Sequence, residues 1–342
     1  MRGRHGRFGK LGAPALALVA AAAALVPALA VSQGGGGAPV GTQIQDAGQS
    51  PGALAMVHVS GAIDLCAKTG SVTVAGNAVP IWGYVVKPTG VACADAPAPS
   101  LPGPALEVDE DATVTIRLHN ALSQPSSLVF PAQQGLVPDT TGVAGGAMRA
   151  YTFTASEPGT YLYESGRNSA RQVPMGLYGA LIVRPATAGQ AYGGPATAYD
   201  SEALLVLSEI DPALNAAPAT FDMRNYKPRY WLINGKAFPQ TDLIAADAGD
   251  LLLLRWLNAG NTHQTMTLLG AHQRVVAKDA APERYPYDVV GETIAAGQTV
   301  DTIATVPATA TAGTKLPLFN REMRLTNGSS FPGGMLTYVE VP

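Results

Sequence analysis

His263, Met266 and His272 are the side chains best suited to chemistry in the second half of this sequence. Imidazole and thioether are soft enough to hold Cu(I) or Cu(II). The segment has the character of a strand, on which positions 263 and 266 face opposite ways, so a bulge would have to bring them together. The same three residues also read as two surface histidines and a core methionine. Glu164 could bind a hard cation, but a lone carboxylate is ordinarily solvated. His119 comes just before Asn120 at a strand end and suits a surface or capping role. Asp109-Glu110-Asp111 fits a solvated turn. No His-Glu-x-x-His or phosphate loop occurs. Asn327-Gly328-Ser329 matches a glycosylation sequon, and Tyr226, Tyr230 and Trp231 form an aromatic group that could serve as a binding platform.

Two cysteines are present, Cys66 and Cys93. In an exported chain they would meet an oxidising compartment. A disulfide between them would add roughly 3.5 kcal/mol on the chain-entropy account. A pair of buried free thiols is the competing reading. Export is expected from the N-terminus, where Arg2, Arg4, Arg7 and Lys10 precede the apolar run Leu11–Leu29 and the small-x-small site Ala28-Leu29-Ala30. An uncleaved anchor is the alternative, since the run is just long enough to span a bilayer. Cleavage would remove four of the 22 Lys and Arg and none of the 25 Asp and Glu, moving the net charge from −3 to −7. No basic patch remains, which argues against nucleic acid as a partner.

The elements that must position these residues are strands. Segments such as "SVTVAGNAVPIWGYVV", "RAYTFTA", "GTYLYES" and "EALLVLSEI" recur at short intervals, with a turn at Gly76-Asn77. The 38 Gly and 27 Pro suit many short strands and turns, and no helix of substantial length is expected. "ALEVDEDATVTIRLHNAL" and "DLIAADAGDLLLLRWLNAG" share a layout of strand, acidic turn, strand with a central Arg, then Asn. This internal duplication predicts an all-β chain of two β-sandwiches of similar topology. The expected organisation is a signal peptide over 1–30, a flexible linker over 31–55, a first domain over 56–186, a linker over 187–202 and a second domain over 203–342.

"PGPALEVDEDATVTIRLHN", "GTYLYESG", "MGLYGALIVRP", "WLINGKAFP", "LLLLRWLNAG" and "PGGMLTYVEV" resemble the framework motifs of multicopper oxidases, in order and spacing, from about Ile63 to Pro342. The resemblance implies two cupredoxin-like Greek-key β-sandwich domains, an extracytoplasmic location (periplasm or cell surface) and, in the family at large, copper-dependent oxidation by O₂. It also implies a trinuclear centre on four His-x-His pairs and a blue-copper centre with a cysteine thiolate. This chain departs from that pattern. It has five histidines in all, and only His58, His119, His263 and His272 lie beyond the expected leader. Eight ligands cannot come from four residues. Val129, Phe130 and Pro131 stand near the first His-x-His position, and Glu164, Ser165 and Gly166 near the second, with Asn168 a little downstream. Gln264, Thr267 and Leu269 stand at three further histidine positions, and "LPLFNREMRLTNG" occupies the His-Cys-His segment without His or Cys.

Two functions are therefore expected to compete. The first is a non-catalytic extracytoplasmic binding or scaffold role with no cofactor. Its partner would be an unidentified extracytoplasmic protein or surface, with no membrane contact after leader cleavage and with homo-oligomerisation open. The second is a copper-binding oxidoreductase with an unconventional site on His263, Met266 and His272.

Overall fold

The computed structural model describes residues 54–133 and 135–342. The expected leader and nearly all of the first linker lie outside the described residues. The first half forms β1 (Met56–His58), β2 (Ala62–Val74), β3 (Asn77–Val86), β4 (Ala105–Asp109), β5 (Thr113–Asn120), β6 (Met148–Thr154), β7 (Gly159–Glu164) and β8 (Tyr178–Arg184). These strands make two four-stranded sheets, ordered β1-β4-β8-β7 and β3-β2-β5-β6. The second half forms β9 (Ser201–Ile210), β10 (Tyr230–Ile233), β11 (Lys236–Ala237), β12 (Ile244–Ala245), β13 (Leu251–Asn258), β14 (Gln264–Leu268), β15 (Gln273–Lys278), β16 (Ala281–Val289), β17 (Gly291–Ile294), β18 (Thr299–Thr305), β19 (Lys315–Asn320) and β20 (Leu336–Glu340). Their sheets run β11-β10-β9-β13-β18-β15-β16 and β12-β20-β19-β14-β17. Among the described residues the α-helices are short, Ser169–Gln172 and Pro212–Ala216.

The internal duplication is visible in the pairing. β5 lies parallel to β2 and antiparallel to β6, and β13 lies parallel to β9 and antiparallel to β18. β4 runs parallel to β8, as β12 does to β20. The hairpin between β2 and β3 turns on Ala75-Gly76, both at positive φ, one residue earlier than Gly76-Asn77. Asn77 is instead the first residue of β3, where it pairs with Val74.

Burial follows the two-residue period where only one face is covered. In β5, Val114, Ile116 and Leu118 are buried and the residues between them are not, apart from Asn120 at the end. β8 and β9 are buried on both faces. Leu181 and Val183 face the first core, whereas Ala180 and Ile182 meet Leu204, Val206 and Leu232 across the junction of the two sandwiches. The apolar runs "LYGALIV" and "ALLVL" thus mark strands that bury one face in their own core and the other against the neighbouring sandwich. The stretch expected as an inter-domain linker is not bare. Ala191, Tyr192 and Tyr199 pack on Leu253, Val276 and Ile303 of the second sandwich, and β9 begins at Ser201, inside that stretch.

Candidate functional site

In the first sandwich, the two segments where the resemblance places ligands lie side by side. Val129 N–H donates to the Glu164 carbonyl (2.8 Å), and Glu164 N–H donates to the Val129 carbonyl (3.1 Å). Alternation along β7 sends Tyr161 and Tyr163 into the core. Phe130 joins them there, its ring 5.0 Å from Phe153, 6.0 Å from Tyr163 and 6.5 Å from Tyr151. The Tyr163 hydroxyl donates to the Pro104 carbonyl (2.6 Å), and burial raises its pKa beyond the ordinary tyrosine range. The glycines of this stretch serve close approach. A Cβ on Gly159 would come within 2.5 Å of Ala280 Cβ in the second sandwich, and one on Gly166 within 2.5 Å of Val129 Cγ1. Glu164 has its carboxyl pKa raised by burial. Ser165 and Gln172 are tied to each other (2.6 Å), and Gln172 donates to the Pro125 carbonyl (2.8 Å). Asn168 takes a left-handed backbone conformation at the start of a helical turn, and its carbonyl accepts from Arg171 and Gln172. Beside Phe130 lies a cavity of about 390 Å³ lined by Leu128, Pro131, Leu136 and Tyr151.

The matching region of the second sandwich is a closed hydrogen-bond network. Gln264 is fully buried. Its Nε2 donates to Thr262 Oγ1 (2.8 Å) and to Glu209 Oε2 (3.3 Å), and its Oε1 accepts from Asn320 Nδ2 (2.6 Å). Asn320 Oδ1 accepts from the Glu322 N–H (2.7 Å). Glu209 accepts from the Asn261 N–H (2.8 Å) and the Thr262 hydroxyl (2.7 Å). Burial raises the Glu209 carboxyl pKa against these donors. Thr267 donates to the Val290 carbonyl, and Leu269 is exposed.

The sequence-derived metal candidates occupy three different surroundings. Met266 is in the second core with Trp256 and Leu268. His263 is exposed, and its Nδ1 accepts from the Ala296 N–H (3.2 Å). His272 is exposed at the entry to β15 and lines a separate groove. His119 Nε2 lies 2.6 Å from Asp64 Oδ1, and His58 sits between Glu107 and Asp109. Cys66 and Cys93 form a disulfide within the first sandwich. Among the described residues no group of three or more His, Cys, Asp or Glu is placed to hold a metal ion. Tyr230 packs in the junction core, Trp231 in the second core under Arg324, and Tyr226 against the first core.

Sequence reasoning missed a buried charge seam between the sandwiches. Arg255 is wholly buried. Its Nε donates to Glu202, and its Nη1 donates to Thr160 Oγ1 (2.9 Å) and Asp301 Oδ2 (3.2 Å). The Thr160 hydroxyl donates to Asp301 Oδ1 (2.8 Å), and Tyr192 donates to Asp301 Oδ2 (2.6 Å). Arg184 bridges Glu202 (2.7 Å) and Glu107 (2.8 Å). Burial favours the neutral form of Glu202, but Arg255 and Arg184 outweigh it and lower the pKa. At Asp301 burial outweighs Arg255, and the pKa is raised. The available signal was an arginine inside the apolar run "LLLLRWL", since a charge in a strand buried on both faces must be paired.

Residues 98–188 match the multicopper oxidase family. Copper resistance protein A of Escherichia coli is 33% identical over 116 residues, which make up 32% of this chain and 18% of that protein. A homolog from Pseudomonas syringae pv. tomato is 36% identical over 90 residues, 24% of this chain and 15% of that protein. The matched stretch thus spans less than a fifth of these relatives' length. Among solved structures, a blue copper oxidase from Nitrosomonas europaea superposes with a TM-score of 0.71 at 22% identity, over 83% of this chain and 86% of that one. A copper nitrite reductase from the same organism gives 0.65 at 22% identity, over 84% and 94%. The fold is cupredoxin-like.

Proposed function

We propose that this chain, which carries a multicopper oxidase domain in a cupredoxin-like fold, is a non-catalytic extracytoplasmic binding or scaffold protein. The observation that supports this reading is the donor set at the framework positions. Phe130 is committed to an aromatic core, and Gln264, Asn320 and Glu209 spend their polar atoms on one another and on nearby backbone. Copper is held best by imidazole, thiolate or thioether donors with free lone pairs. The residues present do not fit that ion, and no redox step follows from them. The two cysteines are joined in a disulfide, so neither thiolate is free to ligate. Among the described residues no helix is long and apolar enough to cross a membrane.

The test is reconstitution of the purified protein with excess Cu(I) and Cu(II), removal of loosely held metal, and measurement of copper stoichiometry, visible spectrum and oxidation of a phenol. The expected result is substoichiometric copper, no intense thiolate-to-copper band and no turnover. Tightly held copper above one equivalent, or a blue band, overturns the proposal. One colourless equivalent that disappears in His263→Ala or His272→Ala would move the assignment to a copper site on those residues.

A further inference from the structure

The outer face of the seven-stranded sheet is covered in two places and open in a third. Arg255 and Asp301 are covered by Thr160 of the first sandwich. Leu253, Val276 and all but the edge of Ile303 are covered by Ala191, Tyr192 and Tyr199. Beyond them the same face becomes the floor of a groove of about 690 Å³, walled by Pro195–Ala198 and bearing His272, Arg274 and Asp288. A groove of that size is within the range of small-molecule sites.

The groove is built from register. Arg274 on β15 is directly opposite Asp288 on β16 and Ile303 on β18, and Leu251 on β13 is opposite Thr305. His272, two residues before Arg274, also lines the groove, as the two-residue strand period allows. The wall is pinned by Thr197. Its hydroxyl donates to the Gly194 carbonyl (2.8 Å) and accepts from the Tyr192 N–H (3.1 Å), and its carbonyl accepts from the Ala191 N–H (2.9 Å). Arg274 and Asp288 are opposite charges on facing positions, yet among the described residues neither side chain has an ion pair or hydrogen bond within the chain.

We propose that this groove binds a zwitterionic amino acid or short peptide with an apolar side chain. Arg274 takes the carboxylate, whose two oxygens match the guanidinium fork. Asp288, on the adjacent strand, takes the ammonium group. The apolar side chain lies on Leu251 and Ile303, and His272 borders the carboxylate end. A neutral sugar would leave both charges unmatched, and a simple anion would leave Asp288 facing like charge. The site lies away from the framework positions and shares only His272 with the copper test; Arg274 and Asp288 take no part in that test, so failure of the copper reading and failure of this one are read on different residues.

The probes are L-leucine and Leu-Leu, titrated calorimetrically into the full chain, with N-acetyl-leucine amide and methyl glucoside as controls. Amide shifts confined to β15, β16 and residues 195–198 would locate the site. Arg274→Gln and Asp288→Asn are each expected to weaken binding at least about tenfold, as loss of a hydrogen bond between charged groups does. Both should leave the thermal midpoint unchanged, because neither residue supports the fold. Absence of heat and of shifts at millimolar leucine and Leu-Leu overturns the proposal. So does equal binding of the capped amide or the sugar, or unchanged affinity in both variants.

Discussion

The two sandwiches share a topology and two matched residues, of which they use one alike and the other differently. Asn120 and Asn258 end equivalent strands and make the same three contacts. Asn120 Nδ2 donates to the carbonyls of Gln124 and Val143, and its Oδ1 accepts from the Leu122 N–H. Asn258 does the same with Thr262, Ile294 and Gly260. Arg117 and Arg255 stand three residues before these asparagines. Arg117 is 41% exposed and reaches Asp64 at 3.4 Å, whereas Arg255 is sealed in the junction among Glu202, Asp301 and Thr160. Two of the three asparagine bonds close within four residues and the third reaches Val143 or Ile294 inside the same sandwich, so duplication preserves them. The arginine takes its role from whatever covers its face of the sheet, and only the second sandwich is covered there by the first.

The largest effect expected from this contrast is in the arginine pair. Arg255→Met should cost about 3–5 kcal/mol, because Glu202 and Asp301 keep their burial and lose a shared counter-charge. Arg117→Met should cost no more than about 1 kcal/mol, as exposed ion pairs do. Urea unfolding of both variants measures the gap, and equal costs would break the comparison. Next is the disulfide, which belongs to the first sandwich alone and joins residues 27 apart. Its removal in Cys66→Ala/Cys93→Ala should lower stability by about 3.5 kcal/mol. Hydrogen exchange should show the loss first in β2 and β3, and uniform loss across both sandwiches would mean that they open as one unit.

The asparagines come third. Asn120→Ala and Asn258→Ala should each cost about 2 kcal/mol, from buried hydrogen bonds left unmade. The two values should agree to within about 0.5 kcal/mol, and a wide difference would deny their equivalence. The smallest effect is a difference in the sign of pH dependence. In the first sandwich burial acts to raise the Asp139 pKa, but the Gly142 N–H, the Tyr151 hydroxyl and Arg149 hold it at about 2. Its stabilisation is present above the unfolded carboxylate pKa of about 4 and is lost as the pH falls towards 2. In the second sandwich burial raises Glu209, so its contribution is full below the unfolded value and fades as the pH rises through the folded one. Asp139→Asn should therefore flatten the acid limb by about 1–2 kcal/mol. Glu209→Gln should flatten the opposite slope above about pH 4.3. Slopes of the same sign in the two pH–stability profiles would refute this opposition.

Much of the fold was legible because strand alternation, turn residues and the repeated layout are local properties. The layout of strand, acidic turn and strand read in "ALEVDEDATVTIRLHNAL" became β4 and β5, and the shortage of histidines followed from counting. The location of each histidine was not legible. His263 and His272 are nine residues apart in the chain, yet one is bonded to Ala296 and the other lines a groove with Asp288. The pairing of strands distant in sequence decided both. It likewise made "LLLLRWL" an internal charge seam, and it set Arg274 across from Asp288. The sequence by itself determined which residues could lie inside a sandwich and how few histidines and cysteines the chain has to offer. The tertiary structure alone decided which faces the sandwiches cover, because the partner of a buried charge is chosen by contacts between strands far apart in the chain.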